Sequence, residues 1–509
     1  GSRRILEAAF PLLLGTLILA PRGGAPPVDE ISWEKRRAEL EALNECTTGV
    51  ASGAATADGR PLLWKNRDTG GVNQEFHYVD DGRIPFISIT YSGDTDEYYG
   101  GVNAAGFALE NANSYNLHAG PAGNGWGYGD DDGEIHLLAL ATCRTVDDFQ
   151  ALLDSTNEAG RTLNCNYGAI DAFGGAVMFE TGGYEYTRID AADTPDGFIV
   201  RANYSYSGHG LELRPPFWGP NRHDTAYRLW KQAVDNGGLT VEFVYQQTIR
   251  NLRIAGMDFD DYRLPFDGFW DNYPYGLIPN GEAICRSTTR GILVVQGVRA
   301  GGNPNDAVLW AMGGTPLGCV ATPLWVRAGS VPVEYDGPNG SRLCQAALRI
   351  ADWVYPPGFH GRAVDTWRLT NPDGTGFWDW AIPLEDWVFD KVEQFVNSPR
   401  FSYDRLAAFQ NETAQQVADS LEAWNPPTIP TEISELVFDE NHILLMWGDL
   451  GDNRVFGRCG EPRGYAVYRS SQPFRGGDRG SRIAFVRDVR YVDASPLSGR
   501  CFYRVEAVF

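Results

Sequence analysis

Several features that mark other classes of protein are scarce in this chain. The chain has 43 Lys and Arg residues but 66 Asp and Glu residues. This excess of negative charge repels phosphate backbones, which argues against nucleic acid as a partner. Beyond residue 25, no apolar run approaches the ~18 to 20 residues of a bilayer crossing, so we expect no integral membrane span. The 7 His include no His-x-x-x-His pair, and Cys-x-x-Cys does not occur. We therefore expect neither a metal site nor a cofactor.

The chain has ample apolar material for a large core. Its 509 residues are 43% hydrophobic and 12% aromatic, which favours two or more domains. Residues 1–25 join a basic start, an apolar run over 11–20 and small residues, a pattern typical of a secretory signal peptide, with a buried first helix as the alternative. We expect an exported protein, periplasmic or extracellular, in which disulfides are permitted. Cys459 and Cys501 are the predicted disulfide pair, with free thiols as the alternative.

Changes of composition divide the remainder. Residues 26–45 are charged and helix-forming, and we interpret them as a propeptide. Residues 46–425 alternate groups of strands with helices, which predicts an α+β domain. Residues 426–431 form a stiff Pro-rich linker, and the short alternating strands of 432–509 predict an all-β sandwich like fibronectin type III. Predicted strands in the first domain are 86–91, 106–110, 168–171, 175–180, 197–202 and 307–311, and predicted helices are 135–141, 146–155, 224–233, 241–250, 383–397 and 403–424.

Cys46 opens the α+β domain with a possible nucleophile. Two β-type runs flank Asp58-Gly59 after it, which predicts a hairpin. A thiol with a pKa of about 8.5 needs a base at neutral pH, and a terminal α-amine with a pKa of about 7.7 to 8.0 would serve. Cys46 can supply both groups only if the peptide bond before it is broken. Self-cleavage between Glu45 and Cys46 is the simplest hypothesis.

The segment Cys46-Thr-Thr-Gly, the Asp-Gly hairpin and the run Lys-Asn-Arg-Asp at 65–68 resemble the N-terminal nucleophile (Ntn) hydrolases. Within them the chain is similar to the choloylglycine hydrolase, penicillin acylase and acyl-coenzyme A:6-aminopenicillanate acyltransferase group, over roughly residues 46–327. The resemblance implies a four-layer αββα sandwich. It also implies a secreted hydrolase that cleaves a linear amide C–N bond of a small molecule through a thioester at Cys46.

The resemblance also implies a set of residues around the nucleophile. Asp68 matches the carboxylate that faces the terminal amine and thiol. Lys65 matches the basic position before it, with Arg67 as the alternative. Asn113 matches the side-chain amide that stabilises the oxyanion, with Asn111 as the alternative.

Two further matches lie later in the chain. Asn203 matches the asparagine that contacts the nucleophile's amine and the substrate carbonyl. Arg222 follows Pro220 at the start of a predicted helix and would complete the charge network, with Arg228 as the alternative.

The sequence leaves alternatives for the activity and for the substrate. An acyltransferase of the same fold and a secreted glycan-binding or glycan-active protein are the alternatives to a hydrolase. Bile-salt conjugates, N-acyl amino acids, acyl homoserine lactones, β-lactams and small peptides are all possible substrates. The oligomeric state is not indicated.

Overall fold

The computed structural model describes most of the chain after the predicted propeptide. It covers residues 45–509 except 119–131, 269, 272, 274–275, 338–339, 357–358, 360, 373, 427–429, 432, 440–441, 448–463, 472–480, 487–489, 494–501 and 509. All the described residues belong to one compact unit. The predicted signal peptide, the propeptide before Glu45, and both Cys459 and Cys501 lie outside them.

The described chain is a mixed α/β structure with several antiparallel sheets. Its strands are β1 (Glu45–Ala51), β2 (Leu62–Asp68), β3 (Gln74–Val79), β4 (Phe86–Tyr91), β5 (Gly100–Asn103), β6 (Ala108–Asn113), β7 (Cys165–Ile170), β8 (Ala176–Thr181), β9 (Tyr186–Asp190), β10 (Phe198–Arg201), β11 (Leu277–Pro279), β12 (Thr289–Gln296), β13 (Val308–Gly313), β14 (Thr322–Leu324), β15 (Ala363–Asp365), β16 (Pro430–Thr431), β17 (Ile433–Asp439), β18 (His442–Trp447), β19 (Gly464–Ser470), β20 (Ser481–Val486), β21 (Arg490–Asp493) and β22 (Phe502–Val508). Its helices are α1 (Asp132–Thr142), α2 (Val146–Asn157), α3 (Pro220–Asp235), α4 (Val241–Phe243, continued by a π-helix over Val244–Ile249), α5 (Arg342–Val354), α6 (Thr366–Leu369), α7 (Phe377–Val396) and α8 (Leu406–Ala423).

Two large sheets contain most of the strands before residue 330. The six-stranded sheet has the order β10-β1-β2-β12-β13-β14, and the seven-stranded sheet runs in chain order from β3 to β9. In the first sheet β1 lies between β10 and β2, antiparallel to both. The predicted hairpin is therefore present, but its connection spans residues 52–61 rather than a tight turn. The opening strand, with Cys46 near its start, is thus an interior strand.

Helices pack on both large sheets. Phe149 of α2 contacts Phe179 of the seven-stranded sheet, with 5.4 Å between ring centroids. Trp230 of α3 covers Gly49 of β1, where a Cβ atom would lie 2.6 Å from the indole ring. Only glycine leaves room for this indole against the strand.

The two large sheets face each other across β1, β6 and β7. A Cβ atom at Gly168 would lie 2.0 Å from Oε1 of Glu110 and 3.4 Å from Val50. Since side chains alternate along a strand, Val50 and Cys46 lie on the face toward the seven-stranded sheet. Glu45 lies on the opposite face with Gly49, toward α3. The residues around Cys46 therefore lie on two faces of the six-stranded sheet: one carries the Cys46 thiol, and the other carries the Glu45 side chain.

The chain after residue 429 adds two small antiparallel sheets. Their orders are β16-β22-β19-β20 and β17-β18-β21. Asp493 of β21 accepts hydrogen bonds from Arg469 of β19 at 2.8 Å and from the Tyr503 hydroxyl at 2.6 Å. These contacts join the two small sheets. The likeness to fibronectin type III stays a prediction.

The structure also bears on membrane spans and on the cysteines. Within the described part of the chain, no helix is long and apolar enough to span a bilayer. The six described cysteines are free and buried, at positions 46, 143, 165, 285, 319 and 344. Buried cysteines pack as small apolar side chains.

Candidate active site around Cys46

Side chains rather than strand neighbours hold the backbone of Cys46. Pairing of β1 with β10 begins only at Thr48, which leaves the polar groups of Cys46 on that edge without a strand partner. Asn203 fills the gap: its Oδ1 accepts a hydrogen bond from the Cys46 amide at 3.1 Å. Arg222 donates from Nη1 to the Cys46 carbonyl at 2.6 Å.

Asn203 connects three elements of the site. It lies two residues after β10 and is fully buried. Its Oδ1 also accepts a hydrogen bond from Arg222 Nη2 at 2.9 Å, and its Nδ2 donates to the Asn113 carbonyl at 3.0 Å. The predicted residues Asn113, Asn203 and Arg222 are therefore brought together beside Cys46.

Arg222 is the basic residue of α3 that reaches Cys46. The helix begins at Pro220, which suits a first-turn position because its missing N–H would have no intrahelical partner. Arg222 is 1% exposed, and its Nη2 lies 2.7 Å from Oε2 of Glu45. Arg228, the alternative, lies instead over the ring of Phe259 at 5.4 Å. The structure therefore favours Arg222 of the two candidates.

Arg286 belongs to the same cluster and was not predicted from the sequence. It precedes β12 and forms an ion pair with Oε2 of Glu45. Its Nη1 also lies 3.9 Å from Oδ2 of Asp68, and Arg222 Nη1 lies 3.7 Å from the same oxygen. Burial alone would lower the pKa of Arg286, but the carboxylates of Glu45 and Asp68 raise it above its ordinary value. Two guanidinium groups thus face two carboxylates at the Glu45–Cys46 junction.

Asp68 is a buried carboxyl with an incomplete set of hydrogen bonds. It ends β2 opposite Glu45, and its Oδ1 accepts a hydrogen bond from Thr289 Oγ1 at 2.6 Å. Its Oδ2 has no hydrogen-bond partner among the described residues. Burial raises the pKa of Asp68 to about 6, although Arg286, Arg222 and the Thr289 hydrogen bond act to lower it and Glu45 adds to the rise. Asp68 can therefore exchange a proton near neutral pH.

The basic residues of β2 lie on the thiol's side of the sheet. Lys65 is 2% exposed and donates from Nζ to the Tyr99 carbonyl at 2.8 Å and to Asn111 Oδ1 at 2.5 Å. Arg67 lies between the rings of Tyr91 and Tyr99, at 4.1 Å and 3.9 Å. Burial raises the pKa of the Cys46 thiol, and the positive charge of Lys65 partly offsets that rise. Lys65 thus acts on the thiol through its charge.

The two candidate asparagines of β6, Asn111 and Asn113, differ in the residues that they contact. Asn111 donates from Nδ2 to Asp132 Oδ2 at 2.9 Å and to Cys165 Sγ at 3.5 Å, and it accepts from Lys65. Asn113 accepts a hydrogen bond at Oδ1 from Cys165 Sγ at 3.2 Å, and its backbone carbonyl accepts from Asn203. Asn113 is thus linked through Asn203 to the Cys46 amide, whereas the side-chain amide of Asn111 contacts Lys65, Asp132 and Cys165.

Glu110 is a second buried carboxyl near the site that sequence reasoning did not identify. It is fully buried, and neither of its carboxylate oxygens has a hydrogen-bond partner among the described residues. Burial raises its pKa to about 8, with Lys65 acting in the opposite direction. At neutral pH the group is therefore mostly protonated. Its position within β6 looks like any buried strand position, so the sequence carries no signal for it.

One group of residues has the spacing of metal ligands. Ligand atoms of Glu75, His77 and Asp336 lie within 4.8 Å of one another. The Glu75 carboxylate is already occupied, since Oε1 accepts from Ser92 at 2.6 Å and Oε2 from the Gly93 amide at 3.1 Å. We assign it no metal, and none of these residues contacts Cys46.

Comparisons with known proteins give distant structural similarities. No family model matches the chain, and no curated protein matches it. Two variants of the conjugated bile acid hydrolase from Clostridium perfringens are similar, one at 10% identity with a TM-score of 0.34 over 55% of this chain and 92% of that chain. The other has 12% identity and a TM-score of 0.35 over 58% and 95%. Penicillin V acylase from Agrobacterium tumefaciens has 13% identity and a TM-score of 0.32 over 55% and 85%. Similarity at this level carries no argument about activity, which has to come from the residues around Cys46.

Proposed function

We propose that this chain is the precursor of a cysteine Ntn hydrolase that cleaves a linear amide C–N bond. One observation carries the proposal: buried side chains hold Cys46 on both sides of its Cα atom. Asn203 binds the amide nitrogen at 3.1 Å and Arg222 the carbonyl oxygen at 2.6 Å. A structural cysteine in a strand needs no such arrangement, because strand pairing satisfies its backbone. Breaking the Glu45–Cys46 bond would place a new α-amine between Asn203 and Asp68.

Self-cleavage would proceed by an acyl shift. The Cys46 sulfur attacks the carbonyl carbon of Glu45, and the C–N bond to Cys46 breaks as the nitrogen takes the thiol proton. Water then hydrolyses the thioester, which leaves a carboxylate on Glu45 and a free amine on Cys46. No other reactant is required.

Turnover would use the same atoms with an external amide. The free amine accepts the thiol proton, and the thiolate attacks the substrate carbonyl. The Asn113 amide would stabilise the oxyanion, a contribution of about 3 to 4 kcal/mol to the barrier. The leaving amine takes the proton, and water hydrolyses the thioester. Asp68 would hold the ammonium form of the Cys46 amine and orient it.

The proposal includes the organisation of the whole chain. We assign residues 1–25 to a signal peptide, 26–45 to a propeptide, 46–425 to a four-layer αββα catalytic domain and 432–509 to a fibronectin type III-like domain after the linker 426–431. The enzyme would be exported and would act on a small-molecule amide without a cofactor. The antiparallel sheets that face each other, each with helices packed on it, support the four-layer arrangement.

Intact mass and N-terminal sequencing of the purified protein test the proposal. We expect the wild type to begin at Cys46 and a Cys46→Ala variant to retain the preceding residues. Cys143→Ala removes another buried thiol and serves as the matched control, which should mature like the wild type. A wild type that keeps Cys46 internal after prolonged incubation would refute the mechanism, because the amine base would never form.

A further inference from the structure

The Glu45 side chain lies in a buried site built from two arginines. Its carboxylate is 2.7 Å from Arg222 Nη2 and also forms an ion pair with Arg286. The side chains of Arg222, Arg286 and Glu45 are 1%, 9% and 4% exposed. A buried carboxylate held by two guanidinium groups is a strong charge-assisted arrangement. Glu45 is also the residue whose acyl carbon the proposed nucleophile attacks.

The thioester formed in self-cleavage is chemically an acyl-enzyme. The acyl group of this thioester is that of Glu45. The side-chain carboxylate of Glu45 is the group that forms ion pairs with Arg222 and Arg286. When that thioester is hydrolysed, Glu45 leaves with the released peptide. The two guanidinium groups would then face Asp68 as the remaining carboxylate, at 3.7 Å and 3.9 Å. Buried charges that lose a partner are unfavourable until another anion replaces it.

We propose, on the basis of the function proposed above, that the mature enzyme prefers amides whose acyl group carries its own carboxylate. The spacing is set by Glu45: three carbon atoms separate the attacked carbonyl from the side-chain carboxylate carbon, as in a glutaryl group. The acyl chain would take the place of the Glu45 side chain. Arg286 would bind its carboxylate together with Arg222, which also holds the Cys46 carbonyl.

Paired substrates of equal chain length test this inference. Glutaryl-p-nitroanilide and pentanoyl-p-nitroanilide both have five acyl carbons and differ in the terminal carboxylate. Because a hydrogen bond to a charged group contributes about 1.5 to 3 kcal/mol, kcat/KM should favour the glutaryl substrate by about tenfold to a hundredfold. The ratio should fall toward one in Arg286→Gln. Arg228→Gln, an arginine on the same helix as Arg222 but over Phe259, should keep the wild-type ratio.

The outcomes separate this inference from the proposed function. A protein that begins at Cys46 and cleaves the pentanoyl substrate as fast as the glutaryl one would overturn the inference alone. An uncut protein with no turnover of either substrate would overturn the proposed function and the inference with it. If Arg286→Gln does not fold, inhibition of the mature wild-type enzyme by free carboxylic acids tests the inference instead. Glutarate should then inhibit at least tenfold more strongly than pentanoate, and equal inhibition would refute the carboxylate site.

Discussion

Replacing Asp68 by Asn should stabilise the precursor at neutral and alkaline pH. The carboxyl is fully buried, its Oδ2 has no hydrogen-bond partner among the described residues, and burial raises its pKa from 3.8 to about 6. Folding therefore opposes ionisation of this group. Asn has nearly the same shape and never ionises, so it avoids the cost of burying the charge.

The sign and size of the effect follow from this pKa. Below about pH 3, Asp68 is protonated in both the folded and unfolded states, and its contribution to stability is fully present. As pH rises through 6 the folded state must give up a proton that it binds more tightly than the unfolded chain, so stability is lost. A shift from 3.8 to about 6 corresponds to about 3 kcal/mol at 1.36 kcal/mol for each pH unit. The advantage of Asp68→Asn should grow by that amount between about pH 3 and pH 8.

Urea unfolding at a series of pH values measures this difference. Both proteins should carry Cys46→Ala, so that neither is processed and Glu45 stays attached. Asp390→Asn, an exposed position in α7, is the matched control and should change the free energy of unfolding by less than about 0.5 kcal/mol at every pH. An Asp68→Asn effect that is constant with pH, or destabilising at pH 8, would refute the reasoning.

Three further changes have expected outcomes. Asn113→Ala should lower kcat for the cleaved amide about 100- to 1000-fold, and a greater loss in Asn111→Ala would reverse the assignment of the oxyanion donor. Glu110→Gln should raise the free energy of unfolding relative to the wild type progressively from about pH 4.5 to pH 8, with little further gain above pH 8, because burial raises the pKa of Glu110 from 4.5 to about 8; an effect of the same size at pH 4 and pH 8 would contradict this. Glu385→Ala should cost about 3 to 5 kcal/mol by urea unfolding, since it leaves the buried Arg250 unpaired, and a cost below about 1 kcal/mol would refute the estimate.

Local patterns predicted many elements of the fold, and the failures have physical reasons. The predicted strand over 86–91 has the bounds of β4. The helix predicted from Pro383 begins at Phe377, because Asp379 accepts from the Gly376 amide at 2.9 Å and so caps the first turn. Helix α5 was not predicted, although Leu343, Ala347, Ile350 and Val354 are buried on one face. That 3.6-residue period is a signal which the sequence does carry.

Some residues of the candidate site could likewise be predicted from a local pattern, whereas others depend on contacts between distant parts of the chain. Cys46 and Asp68 lie on one predicted hairpin, so their proximity follows from its pairing. Arg286 is 241 positions away from Glu45, and its approach depends on β12 pairing with β2, where Thr289 lies opposite Asp68. Neither β12 nor that pairing was predicted, so no local pattern could have identified Arg286.

The charge cluster also couples cleavage to the state of Asp68. Glu45 raises the pKa of Asp68 through like-charge repulsion, and cleavage would remove Glu45 and create an ammonium beside the carboxyl. Both changes lower the pKa of Asp68, so maturation itself should convert a partly protonated acid into the carboxylate that holds the amine. Glu45→Gln in the Cys46→Ala protein reproduces the loss of this charge without cleavage. In the same urea series, the stability that is lost as pH rises should then be smaller than in Cys46→Ala alone, and the loss should be complete at a lower pH. An equal loss, complete only at about pH 6, would show that Glu45 does not control Asp68.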